Sequence, residues 1–432
     1  MNIIHIIPGS GGSFYCGNCL RDSKLFEALR AEGHDAVKIP MYLPLFSHET
    51  RQEDIPVFYG AISIYLKQKY ALFRHAPQWL DRWLNSRPML NFAARMANST
   101  RASGLEDMTI SMLMGEHGRQ KDELEKMVHW LKTHLKPDVV HISNALLLGL
   151  APKLRQELGV PVVCSLQDEH VWMEPMHAPM AEKIWNLMRE KAASVDMFIP
   201  VSHYYALFMQ QKLHLPDNKL TSLHLGIDPI DYDFIHASEK PDNIGYLSRI
   251  CPENGADILV DAFILMKQSK EHTSTRLILT GGYTADDKVF IKKQKKKIKD
   301  AGLTDFVEFI DDFEGDARKQ FFQKVKLLSV PVPGGEAFGI YLTEAMASGI
   351  PVVQPALGAF PEIIEKSDGG HCYPHNTPQE LANALDTLLK NPGEINRLSH
   401  NARKSMENDF NIHHLAKELT GIYHKLNETQ IT

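Results

Sequence analysis

The sequence has few cysteines, no strong excess of one charge and no long apolar run. Its 432 residues include only five scattered cysteines, so a disulfide framework is not expected. The formal net charge of −6 argues against a nucleic-acid surface. No run approaches the roughly 20 apolar residues of a membrane-spanning helix. Met1 to Ile7 lacks the basic start of a signal peptide, so we expect a cytoplasmic enzyme with no nucleic-acid partner.

The length of the chain exceeds the size at which a single core stops growing, so two domains are expected. Short apolar runs alternate with helical patterns, which is typical of doubly wound α/β units. We predict a Rossmann-like domain over 1–228 and a second one over 229–411. A C-terminal helix over 412–432 is expected to pack back on the first domain.

A helical insertion is expected within the first domain, over about 60–135. Aromatic and aliphatic side chains recur there at near-helical spacing, with lysines and arginines between them. Ordinary packing of these helices against the core is one reading. The other interpretation is a basic and aromatic amphipathic surface that lies on anionic membranes or shapes an acceptor groove.

The most informative segment is Gly334 to Val353, in which two glutamates flank a glycine that opens a helix. Apolar runs at 327–332 and 350–353 predict strands on either side, and the unit is therefore a crossover in a parallel sheet. Its helix N-terminus lies at the carboxyl edge of the sheet, where ligands bind. The free backbone amides after Gly339 could receive a phosphate.

The two glutamates suit hydroxyl groups on either side of such a phosphate. Glu344 lies within the helix, and its side chain leans back toward the helix start. Its carboxylate has two acceptor oxygens, which suit the diol of a ribose. Glu336 precedes the helix and could reach a second hydroxylated group. A nucleotide-diphosphate sugar has this arrangement of groups.

This segment resembles the glutamate–seven residues–glutamate motif of the family 4 glycosyltransferases. The matching residues are Glu336, Phe338, Gly339, Glu344, Ala345, Ala347, Gly349, Pro351 and Val352. The resemblance implies a GT-B fold, with two Rossmann-like domains and an interdomain cleft. It also implies a retaining glycosyltransferase in which Phe338, Gly339, Ile340 and Glu344 bind the donor and Glu336 lies near its sugar.

Arg249 and Asn254 occupy the family segment that neutralises the donor diphosphate. The family carries an arginine and, five residues on, a lysine; here the arginine is present and the lysine position holds Asn254. Another cation could substitute, Asn254 could suffice through a hydrogen bond, or the protein could be slow or inactive. Gly281, which follows the next predicted strand, completes the expected donor-binding set.

The acceptor side is expected in the first domain. The glycine-rich loop with Gly11 and Gly12 resembles the family's first loop. His141 resembles the first histidine of an aspartate–aliphatic–aliphatic–histidine segment, and Asp168 matches the aspartate of a histidine–aspartate pair whose histidine is Gln167 here. We predict roles for His141 and Asp168 beside Glu336 and Arg249 in catalysis; strand-end hydrogen bonding is the alternative.

Cys16 and Cys19 form a single Cys-x-x-Cys at the start of the first predicted helix. A helix N-terminus favours a thiolate, so redox chemistry is one reading. A zinc site would need two further ligands with suitable spacing, and the sequence offers no obvious pair. Packing of the helix is the other reading.

The expected activity is transfer from a UDP-sugar or GDP-sugar, as cosubstrate, to a glycan, lipid-linked or small-molecule hydroxyl. The resemblance implies front-face displacement with no cofactor, metal or protein nucleophile. A nucleotide-sugar epimerase and a noncatalytic nucleotide-sugar sensor or partner remain alternatives. A further alternative is peripheral contact with the inner face of the membrane, where the enzyme acts on a lipid or a growing polysaccharide.

Overall fold

The computed structural model describes residues 1–8, 14–41, 106–269 and 271–431. These residues form two compact units. The first comprises Met1–Gly11, Asp22–Leu223 and Ala416–Thr432, and the second comprises Gly12–Arg21 and His224–Leu415. The short segment Gly12–Arg21 thus belongs with the second unit, although the chain on either side of it belongs to the first.

The first unit contains a five-stranded sheet in the order β2-β1-β3-β4-β5, with every pair parallel. Its strands are β1 (Asn2–Ile7), β2 (Asp35–Pro40), β3 (Val139–Ile142), β4 (Val162–Leu166) and β5 (Met197–Pro200). Strands β3 and β4 are buried along their whole length. Burial on both faces explains why these strands are continuous apolar runs.

Helices follow the strands of this unit in the alternation that the sequence predicts. They are α1 (Gly17–Ala31), α2 (Glu106–Leu113), α3 (Lys121–Trp130), α4 (Ala151–Leu158), α5 (Glu169–Met173), α6 (Ala178–Ala192) and α7 (His203–Leu213). The expected insertion falls partly on α2 and α3, which are helical. Its basic and aromatic part, residues 60–105, lies outside the described residues.

The second unit contains a six-stranded parallel sheet in the order β11-β10-β9-β6-β7-β8. Its strands are β6 (Ile244–Leu247), β7 (Leu277–Thr280), β8 (Val307–Ile310), β9 (Leu327–Leu328), β10 (Val352–Pro355) and β11 (Gly370–Tyr373). The strand order reverses between β6 and β9. At such a reversal, the connections that follow the two neighbouring strands run to opposite sides. This leaves space for a ligand at the carboxyl ends of those strands.

The helices of the second unit are α8 (Ala256–Gln268), α9 (Lys288–Asp300), α10 (Gly315–Lys324), α11 (Ile340–Ala347), α12 (Phe360–Ser367), α13 (Pro378–Leu389) and α14 (Pro392–Asn408). Helix α15 (Ile412–Ile431) ends the described chain. Two parallel α/β sheets, one in each unit, confirm the predicted fold class. Among the described helices, none contains a stretch that is both long and apolar enough to cross a membrane.

One predicted strand is shorter than its apolar run. Strand β9 covers only Leu327–Leu328, whereas the run continues to Val332. Ser329 still donates its backbone N–H to the Gly245 carbonyl, at 3.0 Å. Pro331 has no N–H to donate, so the ladder ends and the chain enters the loop toward Gly339.

Candidate functional site

The candidate donor residues lie after three adjacent strands of the second sheet. Arg249 follows β6, Gly281 follows β7, and Glu336 lies in the loop between β9 and α11. Strands β9, β6 and β7 are neighbours, and the order of the sheet reverses between the first two. The fold therefore brings these residues to the carboxyl edge at the switch point, where α/β proteins bind ligands.

Glu344 lies on α11 and is fully buried. One carboxylate oxygen accepts a hydrogen bond from the Tyr15 hydroxyl at 2.5 Å. The other accepts from the Tyr232 hydroxyl at 2.9 Å and from Arg318 Nη1 at 3.0 Å. Three donors from three separate segments thus satisfy a carboxylate whose burial would otherwise cost several kcal/mol.

The two tyrosines act as neutral donors to this carboxylate. Burial, and then the negative charge of Glu344, raise the pKa of Tyr15 and the pKa of Tyr232 well above their ordinary values. Arg318 opposes this effect, and its guanidinium lies 5.6 Å from the centre of the Tyr15 ring. The cluster holds one negative and one positive charge, with two hydroxyls that stay protonated across the physiological range.

Glu336 and Gly339 shape the start of α11. Gly339 has φ of +87°, and a Cβ there would lie 3.1 Å from a Glu336 carboxylate oxygen and 3.2 Å from the Tyr341 hydroxyl. Burial and the nearby Glu336 raise the pKa of Tyr341 well above its ordinary value. Glu336 itself is half-buried. A glycine is needed here because the backbone, a carboxylate and a phenol converge at one point.

Phe338 and Ile340 are buried on either side of Gly339. They hold the first turn of α11 against the unit's core rather than exposing apolar surface. Gly281, on the neighbouring strand end, has φ of +122°, and a Cβ there would meet the Ser248 carbonyl oxygen at 2.2 Å. Only glycine permits this approach between the ends of β6 and β7.

Arg249 is held by a bidentate pair with Asp287. Its Nε and Nη2 donate to the two carboxylate oxygens at 2.9 and 2.8 Å. Burial acts to raise the pKa of Asp287, but hydrogen bonds from Arg249 and Thr284 outweigh it and lower that pKa. The guanidinium also lies 5.8 Å from the centre of the Phe14 ring. Arg249 is therefore an oriented, charged group at the candidate site.

Asn254 stabilises the loop after β6. Its side-chain amide donates to Ser248 Oγ at 2.8 Å and to the Arg249 carbonyl at 3.3 Å. In this arrangement Asn254 supplies hydrogen bonds within its own loop and no positive charge. Arg318, on α10 and paired with Glu344, is a second cation among the residues of the candidate site.

His141 lies inside the first unit and is 1 % exposed. Its Nδ1 hydrogen-bonds with the Tyr423 hydroxyl at 2.5 Å and its Nε2 with Ser165 Oγ at 2.7 Å. Both ring nitrogens are engaged, so in this structure the imidazole orients neighbours and presents no open nitrogen. His5, the partner of His141 in the register of β1 and β3, lies against it with tilted ring planes and ring centres 4.9 Å apart.

Asp168 is half-buried and precedes α5 with φ of +53°. Next to it, Gln167 donates to the Ser143 carbonyl at 2.9 Å. Glu169 accepts from two backbone amides and from the Tyr205 hydroxyl. Burial raises the pKa of Glu169, although these hydrogen bonds oppose it. The strand ends of the first unit thus hold a hydrogen-bonded polar network with Asp168 at its more open side. Gly11 and Gly12 lie outside the described residues.

The sequence did not identify Tyr15, Tyr232 or Arg318. Tyr15 lies just before α1, where its backbone N–H donates to the Gly281 carbonyl at 2.7 Å. Arg318 lies on a helix with no recognisable motif, and Tyr232 lies in a loop. One signal was available: Phe14 and Tyr15 are bulky residues directly after a glycine-rich loop, which is an unusual place for two aromatic side chains.

Two family models match this chain. Glycosyl transferases group 1 matches residues 230–405, and Glycosyltransferase Family 4 matches residues 112–230. Together they span both units. The candidate donor residues from Arg249 to Glu344 fall in the first match, and His141 and Asp168 fall in the second.

One curated relative and two solved structures illustrate what this chain is similar to. An uncharacterized glycosyltransferase of Methanocaldococcus jannaschii is 26% identical over 331 residues, which are 73% of this chain and 80% of that protein. The structure of Anabaena HepE in complex with UDP and glucose aligns with a TM-score of 0.67 at 18% identity, over 99% of this chain and 100% of that one. Sucrose-phosphate synthase from Thermosynechococcus elongatus aligns at 0.71 and 16% identity, with the same coverage.

The structural likenesses show the fold, and the group 1 model covers the segment that holds the motif residues at the start of α11. The chain therefore belongs to the GT-B glycosyltransferases that the group 1 and Family 4 models describe.

Proposed function

We propose that the protein transfers a sugar from a nucleotide-diphosphate sugar to a hydroxyl group, with retention of configuration at the anomeric carbon. One observation carries the proposal: Arg249, Gly281, Glu336 and the start of α11 lie together at the switch point of the second sheet. This edge combines a helix N-terminus, an oriented arginine and a half-buried carboxylate. A phosphate-containing, hydroxyl-rich ligand is complementary to that set.

The second unit binds the donor. Backbone amides at the start of α11 and the Arg249 guanidinium receive the diphosphate, and Glu336 faces the sugar. The nucleotide is UDP or GDP; the solved complex of HepE with UDP favours a test of UDP first.

Donor binding rearranges the hydrogen bonds of Glu344. Its two oxygens already accept from Tyr15, Tyr232 and Arg318. A ribose diol that takes its place on this carboxylate displaces at least one tyrosine hydroxyl. Exchanging one hydroxyl donor for another is nearly neutral in free energy, whereas leaving a buried group without a partner costs about 1–3 kcal/mol.

The transfer step forms a bond between the acceptor oxygen and the anomeric carbon on the face that the diphosphate leaves. The bond from that carbon to the phosphate oxygen breaks, and the electron pair leaves with the nucleoside diphosphate. The acceptor proton passes to a phosphate oxygen. Arg249 and the α11 amides stabilise the charge that develops on the leaving group, with Arg318 as a second cation in place of the absent lysine. The route uses no protein nucleophile, metal or cofactor.

The first unit supplies acceptor-side residues at Asp168 and His141, and the family resemblance adds Gly11 and Gly12, which lie outside the described residues. Because both nitrogens of His141 are engaged, its role here is to position Ser165 and Tyr423. The acceptor is a glycan, a lipid-linked saccharide or a small hydroxylated molecule. The reaction takes place in the cytoplasm, with the inner face of the membrane as the site for a lipid-linked acceptor.

A binding and turnover experiment tests the proposal. Wild type, Glu344→Gln and the exposed control Glu407→Gln are titrated with UDP, GDP, ADP and their sugars while the melting temperature is recorded. A ligand of the native state must raise the melting temperature. We expect one nucleotide family to stabilise wild type and Glu407→Gln, with a smaller shift in Glu344→Gln. Absence of any shift at millimolar concentrations contradicts the donor site.

Asn254 favours a second candidate function, that of a noncatalytic nucleotide-sugar sensor or partner. Its side chain supplies no positive charge for the leaving group. Catalysis needs such a charge, whereas binding alone does not. The two functions separate when the stabilising nucleotide sugar is incubated with pooled acceptors. Consumption of the sugar supports transfer, and tight binding without consumption supports the sensor. Isomerised sugar without an acceptor supports an epimerase.

A further inference from the structure

Cys16 and Cys19 bring two sulfur atoms together at the N-terminus of α1. Their Sγ atoms lie 2.7 Å apart, with Cys19 as donor and Cys16 as acceptor. A disulfide has an S–S distance of about 2.05 Å, so the two sulfurs are close enough to bond to each other. The pair is therefore placed to react as a unit.

The surroundings of the two sulfurs distinguish their roles. Cys16 precedes α1, and its Sγ accepts the backbone N–H of Cys19 at 3.4 Å. The sulfur thus occupies the position of an N-capping oxygen, where backbone N–H groups and the helix dipole favour negative charge. Cys16 is suited to attack as a thiolate and Cys19 to complete the exchange.

Accessibility distinguishes this pair from two of the other three cysteines. Cys16 and Cys19 are half-buried, and Asn18 between them is exposed. Cys164 and Cys251 are buried, and burial raises the pKa of Cys251. Cys372 is half-buried, but burial raises its pKa to about 11, so it is mostly a neutral thiol at physiological pH.

We propose that Cys16 and Cys19 form a thiol–disulfide exchange site that reacts with low-molecular-weight disulfides such as glutathione disulfide. The Cys16 thiolate attacks one sulfur of the disulfide, forms a mixed disulfide and releases one glutathione thiolate. Cys19, after losing its proton, attacks Cys16 and releases the second. The protein loses two electrons and two protons, and the glutathione disulfide gains them as two thiols.

The exchange site adjoins the candidate donor residues. Tyr15, which donates to Glu344, directly precedes Cys16 in the chain. The exchange chemistry itself does not rest on the proposed glycosyl transfer, and its test does not use a nucleotide sugar.

The test uses the full chain, reduced and then equilibrated with glutathione disulfide at neutral pH. We expect wild type to lose two of its five thiols and to give a peptide in which Cys16 and Cys19 are linked. Cys19→Ser should instead keep one glutathione on Cys16, and Cys16→Ser should react much more slowly. Cys372→Ser is the matched control and should behave as wild type.

Wild-type protein that keeps all five thiols, or that loses thiols without a Cys16–Cys19 link, overturns the proposal. Glutathione that accumulates on Cys372 in place of Cys16 in the Cys19→Ser variant also overturns it. Since the wild-type result does not depend on a substitution, a variant that folds poorly does not obscure the outcome.

Discussion

At the scale of single residues, Glu344 shows how a buried charge is tolerated. The carboxylate has no exposed surface, and its partners are one arginine and two tyrosines. Arg318 is 21% exposed at its side chain, so it retains some contact with water. The ion pair is therefore asymmetric, and removing the carboxylate leaves a cation that is mostly buried and has lost its partner.

Glu344→Ala should lower the free energy of unfolding by about 2–4 kcal/mol, because Arg318 and the two hydroxyls lose their acceptor. Arg318→Met in the same background should recover part of that loss, since it removes the uncompensated charge. Urea denaturation of both single variants and the double variant measures the coupling. Purely additive losses would show that the pair does not interact.

Lys240 is a buried lysine that makes the free energy of unfolding depend on pH. Burial lowers its pKa to about 7, and its Nζ donates to the Ser348 carbonyl at 2.8 Å. Between this pKa and the ordinary value of 10.5, the unfolded lysine binds a proton that the folded one has released. The unfolded state holds more protons in that window, so the free energy of unfolding rises with pH.

We expect Lys240 to contribute a gain of about 2 kcal/mol between about pH 7 and pH 9, because each of the two pH units adds about 1.36 kcal/mol once the folded lysine has lost its proton. Lys240→Met should remove that gain. Lys296→Met, at a lysine that is 75% exposed, is the control and should keep it. Parallel pH profiles of wild type and Lys240→Met in chemical denaturation would contradict the assignment.

At the scale of elements, the start of α11 is the part of the site that the sequence predicted. Its glycine, its flanking apolar residues and the following strand are contiguous, so local spacing determines the geometry. Tyr15, Tyr232 and Arg318 come from three distant segments, and only the packing of the second unit brings them to Glu344. The length of β9 was overestimated because apolar character continues past Pro331, whereas the hydrogen-bond ladder does not.

Gly339→Ala tests whether α11 begins as the structure shows. The φ of +87° costs an alanine about 1–2 kcal/mol, and its Cβ would also crowd Glu336 and Tyr341. Gly302→Ala is a matched control, because Gly302 has φ of +70° and open space around its Cβ position. Both variants should be destabilised in urea.

The two glycine variants should differ in ligand binding. Gly339→Ala should weaken UDP binding by about tenfold, equivalent to 1.4 kcal/mol, because it displaces amides and a carboxylate at the proposed site. Gly302→Ala should bind as wild type. Isothermal titration calorimetry at one temperature measures both. Equal affinities would place the nucleotide away from the start of α11.

At the scale of the whole molecule, two sheets of the same class carry different chemistry at their carboxyl edges. In the first, the described strand ends hold buried side chains that bond to their own neighbours: His141 to Tyr423, Gln167 to the Ser143 carbonyl and Glu169 to Tyr205. In the second, the strand ends carry Arg249, Glu336 and the start of α11. Side chains that bond mainly to one another orient their neighbours, whereas an oriented arginine and the amides at a helix start recruit an anionic ligand. The described strand ends of the second unit are thus the ones that suit an anionic ligand.

Hydrogen exchange in the presence of UDP tests whether the nucleotide binds at the strand ends of the second unit. UDP has a diphosphate and a ribose but no transferable sugar, so it should protect amides only where the donor binds. We expect protection over residues 281–282 and 338–343, since bound phosphate and ribose reduce the opening of those loops and of the first turn of α11. Segments 143–145 and 167–170, at the strand ends of the first unit, should exchange at the rate of the free protein. Protection confined to those first-unit segments would place the nucleotide at the first sheet, because the protected backbone would then lie around Asp168 and His141.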